Sequence, residues 1–130
     1  MKMKGFLIIL FLVLAAGAVY AKGMEVTKKA GSNTVTITLQ NDPPATGVNA
    51  FTVLIKDATG KTVTDAKVTV GYEMSAMPGM PAMRYKAPAL LKGSLYTGTL
   101  NFSMAGSWQI SVKVARGGKT GTARLNVDVH

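Results

Sequence analysis

Thr34-Val35-Thr36-Ile37-Thr38-Leu39 alternates hydroxyl and apolar side chains without a break. A strand turns successive side chains to opposite faces, so this pattern reads as a half-buried β-strand. The same period of two returns at Asn49–Lys56, with Phe51, Val53 and Ile55 on one face, and at Ala66–Met74, with Val68, Val70 and Tyr72. Leu95–Phe102, Ser107–Val114 and Thr122–Val129 continue it, and Val26–Ala30 adds a short first strand. Breakers separate these runs. Asn41-Asp-Pro-Pro44 interrupts the chain, Asp57-Ala-Thr-Gly60 forms a tight turn, Met104-Ala-Gly106 makes a short connection and Arg116-Gly-Gly-Lys119 a hairpin. About seven short strands at regular spacing, with no helical period after the leader, predict an all-β, immunoglobulin-like β-sandwich. Its core is expected from Val35, Ile37, Leu39, Phe51, Val53, Ile55, Val68, Val70, Leu100, Phe102, Trp108, Ile110, Val112, Leu125 and Val127.

Upstream of the strands the chain has a different character. Lys2 and Lys4 precede an almost wholly apolar run from Gly5 to Val19, and Val19-Tyr20-Ala21 places small residues where a signal peptidase cuts. Residues 1–21 are therefore expected to be a signal peptide, with the domain on residues 22–130. An uncleaved anchor is the alternative, although the run is slightly shorter than the roughly 20 residues that cross a bilayer. The expected location is periplasmic or otherwise extracytoplasmic.

Composition narrows the function classes. There is no cysteine, so disulfides, thiolate metal sites and thiol redox chemistry are excluded. The formal net charge is +9, but the cations are scattered through turns and outward strand positions rather than clustered among aromatics, which argues against a nucleic-acid reader. A weak attraction to anionic membrane surfaces is compatible with them. His130 is the only histidine, and as the last residue it is expected to fray. Neither Glu73 nor the pair Asp57 and Asp65 forms a catalytic carboxylate arrangement, and no nucleophile–base pair is visible. No enzyme is expected.

One segment carries chemistry. Met74-Ser-Ala-Met77-Pro-Gly-Met80-Pro-Ala-Met83 repeats methionine every third residue. Thioethers are soft, neutral ligands that suit Cu(I) or Ag(I). Pro78 and Pro81 exclude a helix, and a polyproline II segment, with three residues per turn, is expected to align Met74, Met77, Met80 and Met83 along one edge. Their Cα atoms would then lie roughly 9 Å apart, so two or three sulfurs could meet on one ion if the loop bends at Gly79. Met104 is a further ligand if its turn lies at the same end of the sandwich. The other readings are a lid on the open end of the sandwich and an adaptable partner surface. Trp108 falls in a core alternation and is expected to pack rather than to stack on a cation.

Gly47-Val-Asn49-Ala-Phe51, Asp57-Ala-Thr-Gly60, Ala66-Lys-Val68, Met77-Pro-Gly-Met80, Tyr96-Thr-Gly98 and Phe102-Ser-Met-Ala-Gly106-Ser-Trp108 resemble, in order and spacing, the YtkA-like (FixH-like) domain. The similarity runs from about Asn33 to Val129. It implies an immunoglobulin-like sandwich outside the cytoplasmic membrane and an association with copper handling. The partners it implies are a copper transporter, an efflux adaptor or a terminal oxidase assembly. The Met-Pro segment of that family maps to Met77, Pro78, Gly79 and Met80, and its Ala-Gly-Trp segment to Ala105, Gly106 and Trp108 as structural residues. This chain departs from the anchored relatives in its cleavable leader. It also has no histidine near the methionines, which favours Cu(I) over Cu(II).

Overall fold

The computed structural model describes residues 23–130; the expected signal peptide at 1–21 lies outside them. Eight antiparallel strands follow one another: β1 (Met24–Ala30), β2 (Asn33–Leu39), β3 (Gly47–Lys56), β4 (Lys67–Met74), β5 (Met83–Lys92), β6 (Leu95–Phe102), β7 (Gly106–Arg116) and β8 (Lys119–Val129). They are ordered β1-β2-β3-β6-β5-β4-β7-β8, so two four-stranded layers are joined through β5. Strand β5 pairs with β4 from Met83 to Ala89, then changes layers and pairs with β6 from Leu90 to Lys92.

The sandwich expected from the alternating runs is present, with one strand more. The additional strand is β5, over Met83–Lys92, a stretch for which the sequence reading names no strand. Met83, Tyr85, Ala87 and Ala89 alternate along one face of β5, but only the two alanines are buried and Pro88 interrupts the run, so the apolar signal is weak. Tertiary pairing on both sides supplies what propensity does not. The layer change is tight. A Cβ on Gly98 of β6 would stand 2.7 Å from the Pro88 carbonyl oxygen and 2.6 Å from the Phe51 ring, so only glycine fits there without displacement.

Every residue of the expected core is buried, and Val63, Tyr72, Met74, Tyr96, Val114 and Val129 extend it. Among the described residues the buried core runs from Ala30 to Val129. Two tyrosine hydroxyls tie the layers. Tyr96 donates to the Val63 carbonyl at 3.1 Å and accepts from the Ala66 amide at 3.1 Å. Tyr72 of β4 accepts from the Asn101 amide of β6 at 3.1 Å, at the free edge that β5 has left. Buried Asn49 is satisfied by Asn41, Ala45 and Gly47, and so holds the β2–β3 connection.

The turns form as expected. Gly117 and Gly118 both have positive φ between the paired Arg116 and Lys119. Asp57 accepts from the Thr59 amide, the Thr59 hydroxyl and the Lys61 amide, and its carboxyl is held below the usual aspartate range by those bonds, that from the Thr59 hydroxyl foremost.

Candidate functional site

The methionine segment is a β-hairpin, and the polyproline II edge expected from its prolines does not form. Met74 pairs with Met83 as the last rung of β4 and β5. Met77 and Met80 then exchange both backbone hydrogen bonds, at 2.9 and 2.8 Å, in the same register. Pro78 and Gly79 form the tip. Gly79 has φ of 79°, the left-handed value that the second central position of a type II turn demands, and Pro78 presets the first. Proline therefore acts here as a turn former and not as a helical spacer.

This changes which sulfurs can meet. On a polyproline II edge the neighbours would be consecutive methionines. On a hairpin they are cross-strand partners, with Cα atoms about 5.5 Å apart in a hydrogen-bonded pair. Met77 faces Met80, and Met74 faces Met83. Directly beneath the second pair lies the cross-strand pair Tyr72 and Tyr85, ring centroids 5.3 Å apart, which with Phe102 and Trp108 builds an aromatic floor.

The five predicted ligands divide by burial. Met77 is 43% exposed and Met80 is half-buried at the tip. Met83 and Met104 are half-buried against the core, and the Met83 sulfur accepts a hydrogen bond from the Ser103 hydroxyl at 3.6 Å. Met74 is only 4% exposed, and its methyl lies where a Cβ on Gly106 would stand, 2.7 Å away. Met74 thus packs under the β6–β7 turn, and an open row of four equivalent sulfurs is not what the chain builds. That turn, which holds Met104, does lie at the hairpin end: Ser103 reaches Met83, and Gly106 covers Met74.

Sequence reading missed a wider pattern. Met24 opens β1 and packs against the same core from the same end. All six methionines among the described residues, Met24, Met74, Met77, Met80, Met83 and Met104, therefore gather toward one end of the sandwich. The opposite end, formed by the turns after β1, β3, β5 and β7, has none. The signal was available in the sequence: Met24 and Met83 begin odd-numbered strands and Met74 ends an even-numbered one, and with directions alternating along the chain these boundaries fall at one end.

Trp108 and His130 are placed clearly. Trp108 is buried, and its indole N–H donates to the Met104 carbonyl at 3.0 Å, so it supports the turn from below. His130 is exposed but its backbone does not fray: its amide donates to the Pro44 carbonyl at 2.9 Å, and its carbonyl accepts from the Thr46 amide at 3.0 Å. Among the described residues no group of three or more His, Cys, Asp or Glu side chains gathers to hold a metal.

A family model described as YtkA-like matches residues 29–113. The soluble domain of PmoD from Methylocystis sp. strain Rockwell is similar in fold, with a TM-score of 0.54 at 14% identity; the match covers 80% of this chain and 97% of that one. No curated protein sequence matches the chain.

Proposed function

Since the chain belongs to the YtkA-like family, we propose that it is an exported, non-enzymatic β-sandwich that carries or buffers Cu(I), with Ag(I) as its surrogate, through the methionine hairpin. The observation that carries this reading is the direct opposition of Met77 and Met80 across a two-residue turn, at the end where the other methionines gather. Two thioethers on facing strands approach one ion without bending the backbone. Met83 and Met104, half-buried against the core at the same end, are the reserve donors. Met74 serves this arrangement by packing, since its methyl fixes the hairpin base against Gly106.

The donor set fits a soft monovalent ion and does not fit a hard or borderline divalent one. Thioethers lose no proton on binding, so affinity is independent of pH from neutral to mildly acidic conditions, unlike that of imidazole or carboxylate sites. A solvent-facing tip suits handover of cargo more than permanent storage. The recipients that fit are a copper transporter, an efflux adaptor or a terminal oxidase assembly in the membrane beside an extracytoplasmic carrier.

Calorimetric titration with Ag(I) of the wild-type domain and of a Met77→Leu/Met80→Leu double variant tests the proposal. Leucine preserves volume and removes the sulfur. The variant is expected to stay folded and to lose binding. Undiminished binding in the variant would assign the ion elsewhere.

A further inference from the structure

The strand register gathers cations whose sequence positions look scattered. On the outer face of the β5-β4-β7-β8 layer, Lys86, Gly71, Ser111 and Arg124 occupy one cross-strand row. The next row holds Pro88, Thr69, Lys113 and Thr122, and Lys67 follows in the third. Lys86, Lys113 and Arg124 surround a shallow depression over Gly71, which has no side chain to fill it. Neighbouring strands are about 4.8 Å apart, so Lys86 and Arg124 bracket roughly 14 Å of flat sheet.

These charges are unbalanced. Among the described residues, the ion pairs are Arg84 with Glu73 and Arg116 with Asp65, which leave Lys67, Lys86, Lys113 and Arg124 without an acidic partner. The face's two carboxylates lie away from these cations: Glu73 is paired with Arg84, and Asp128, charged while it accepts from the Ser107 hydroxyl, stands at the far end of β8.

We infer that this face docks on an anionic phospholipid surface. What lies between the cations selects the partner. A protein interface needs a desolvated apolar or aromatic centre, and here the intervening side chains are Thr69, Ser111 and Thr122 around a glycine. Single-stranded nucleic acid needs aromatic platforms, and this patch has none. Dispersed cations on a flat, polar, hydroxyl-rich sheet match a plane of headgroup phosphates, which reward each charge separately and demand no shape complementarity. The methionine hairpin belongs to the same layer, so docking lays it alongside the bilayer.

Cosedimentation with vesicles tests this, using the chain from Lys22 onward, which carries the buried core of the described residues. Binding is expected to vesicles of phosphatidylcholine mixed with phosphatidylglycerol, not to phosphatidylcholine alone, and to fall as salt is raised. Each cation removed is expected to weaken it about fivefold. The Lys67→Gln/Lys86→Gln/Lys113→Gln/Arg124→Gln variant should therefore not sediment. A control with equal charge change, Lys29→Gln/Lys56→Gln/Lys61→Gln/Lys92→Gln, should retain most binding. Equal loss in both variants, equal binding to neutral vesicles, or no binding by the wild type overturns the inference. So does capture by an acidic polypeptide such as polyglutamate without any vesicle binding, which would assign the face to an acidic protein.

Discussion

Met77 and Met80 exchange two backbone hydrogen bonds across Pro78-Gly79, so the spacing of their Cα atoms is set by sheet geometry. The interval of three residues that makes the motif conspicuous is the interval at which a two-residue turn places its flanking residues face to face. Met74 and Met83 obey the same register one layer deeper. The motif is therefore two nested pairs, an outer one open to solvent and an inner one anchored in the core.

Gly79 is the residue on which the outer pair depends. An alanine there meets no neighbouring atom but must adopt positive φ, at a cost of about 1 kcal/mol. The Gly79→Ala variant is expected to lower the global unfolding free energy by no more than that amount. Amide exchange at Met77 and Met80 should accelerate, and Ag(I) affinity should fall.

The inner pair separates packing from ligation. Met74→Ala opens a cavity under Gly106 and is expected to cost about 2–5 kcal/mol in denaturant unfolding. Met74→Leu keeps the volume and should cost less than about 1.5 kcal/mol. Silver binding is expected to survive Met74→Leu and to fail when Met77 and Met80 are replaced by leucine.

Tyr96→Phe removes a hydroxyl that bridges the Val63 carbonyl and the Ala66 amide. Both groups lose a partner beside the buried Val63, and the expected loss is about 1–3 kcal/mol. Urea unfolding should show a lower midpoint with an unchanged slope.

Asp57 gives a pH dependence with a definite sign. Its folded pKa lies below its unfolded one because the Thr59 hydroxyl, and the Lys61 and Thr59 amides, hydrogen-bond the carboxylate. The resulting stabilisation is present above the unfolded aspartate pKa of about 3.9 and fades as pH falls through the folded value. The difference in melting temperature between wild type and Asp57→Ala should therefore shrink on acidification below that range.

The strands with strong alternation were legible because each has one buried and one exposed face, as Val35, Ile37 and Leu39 illustrate. The strand β5 was not, since its alternating Met83, Tyr85, Ala87 and Ala89 include only two buried residues, both alanines, and Pro88 breaks the run where the strand changes layers. The methionines were recognisable as chemistry, but their geometry was misread: Pro78 is equally compatible with polyproline II and with a type II turn, and only the pairing of Met74 with Met83 decides. Cross-strand neighbours such as Lys86, Gly71, Ser111 and Arg124 belong to four different strands, so their convergence needs the register, which no local pattern carries.

The most direct measurement is an NMR titration with Ag(I) that follows the methionine methyl signals of the domain. Ligation by the hairpin tip predicts that the Met77 and Met80 methyls shift together and saturate with one ion, while the buried Met74 methyl stays nearly still. Methyls that remain unmoved at saturating silver, or a Met77 and Met80 that respond independently of each other, would contradict it.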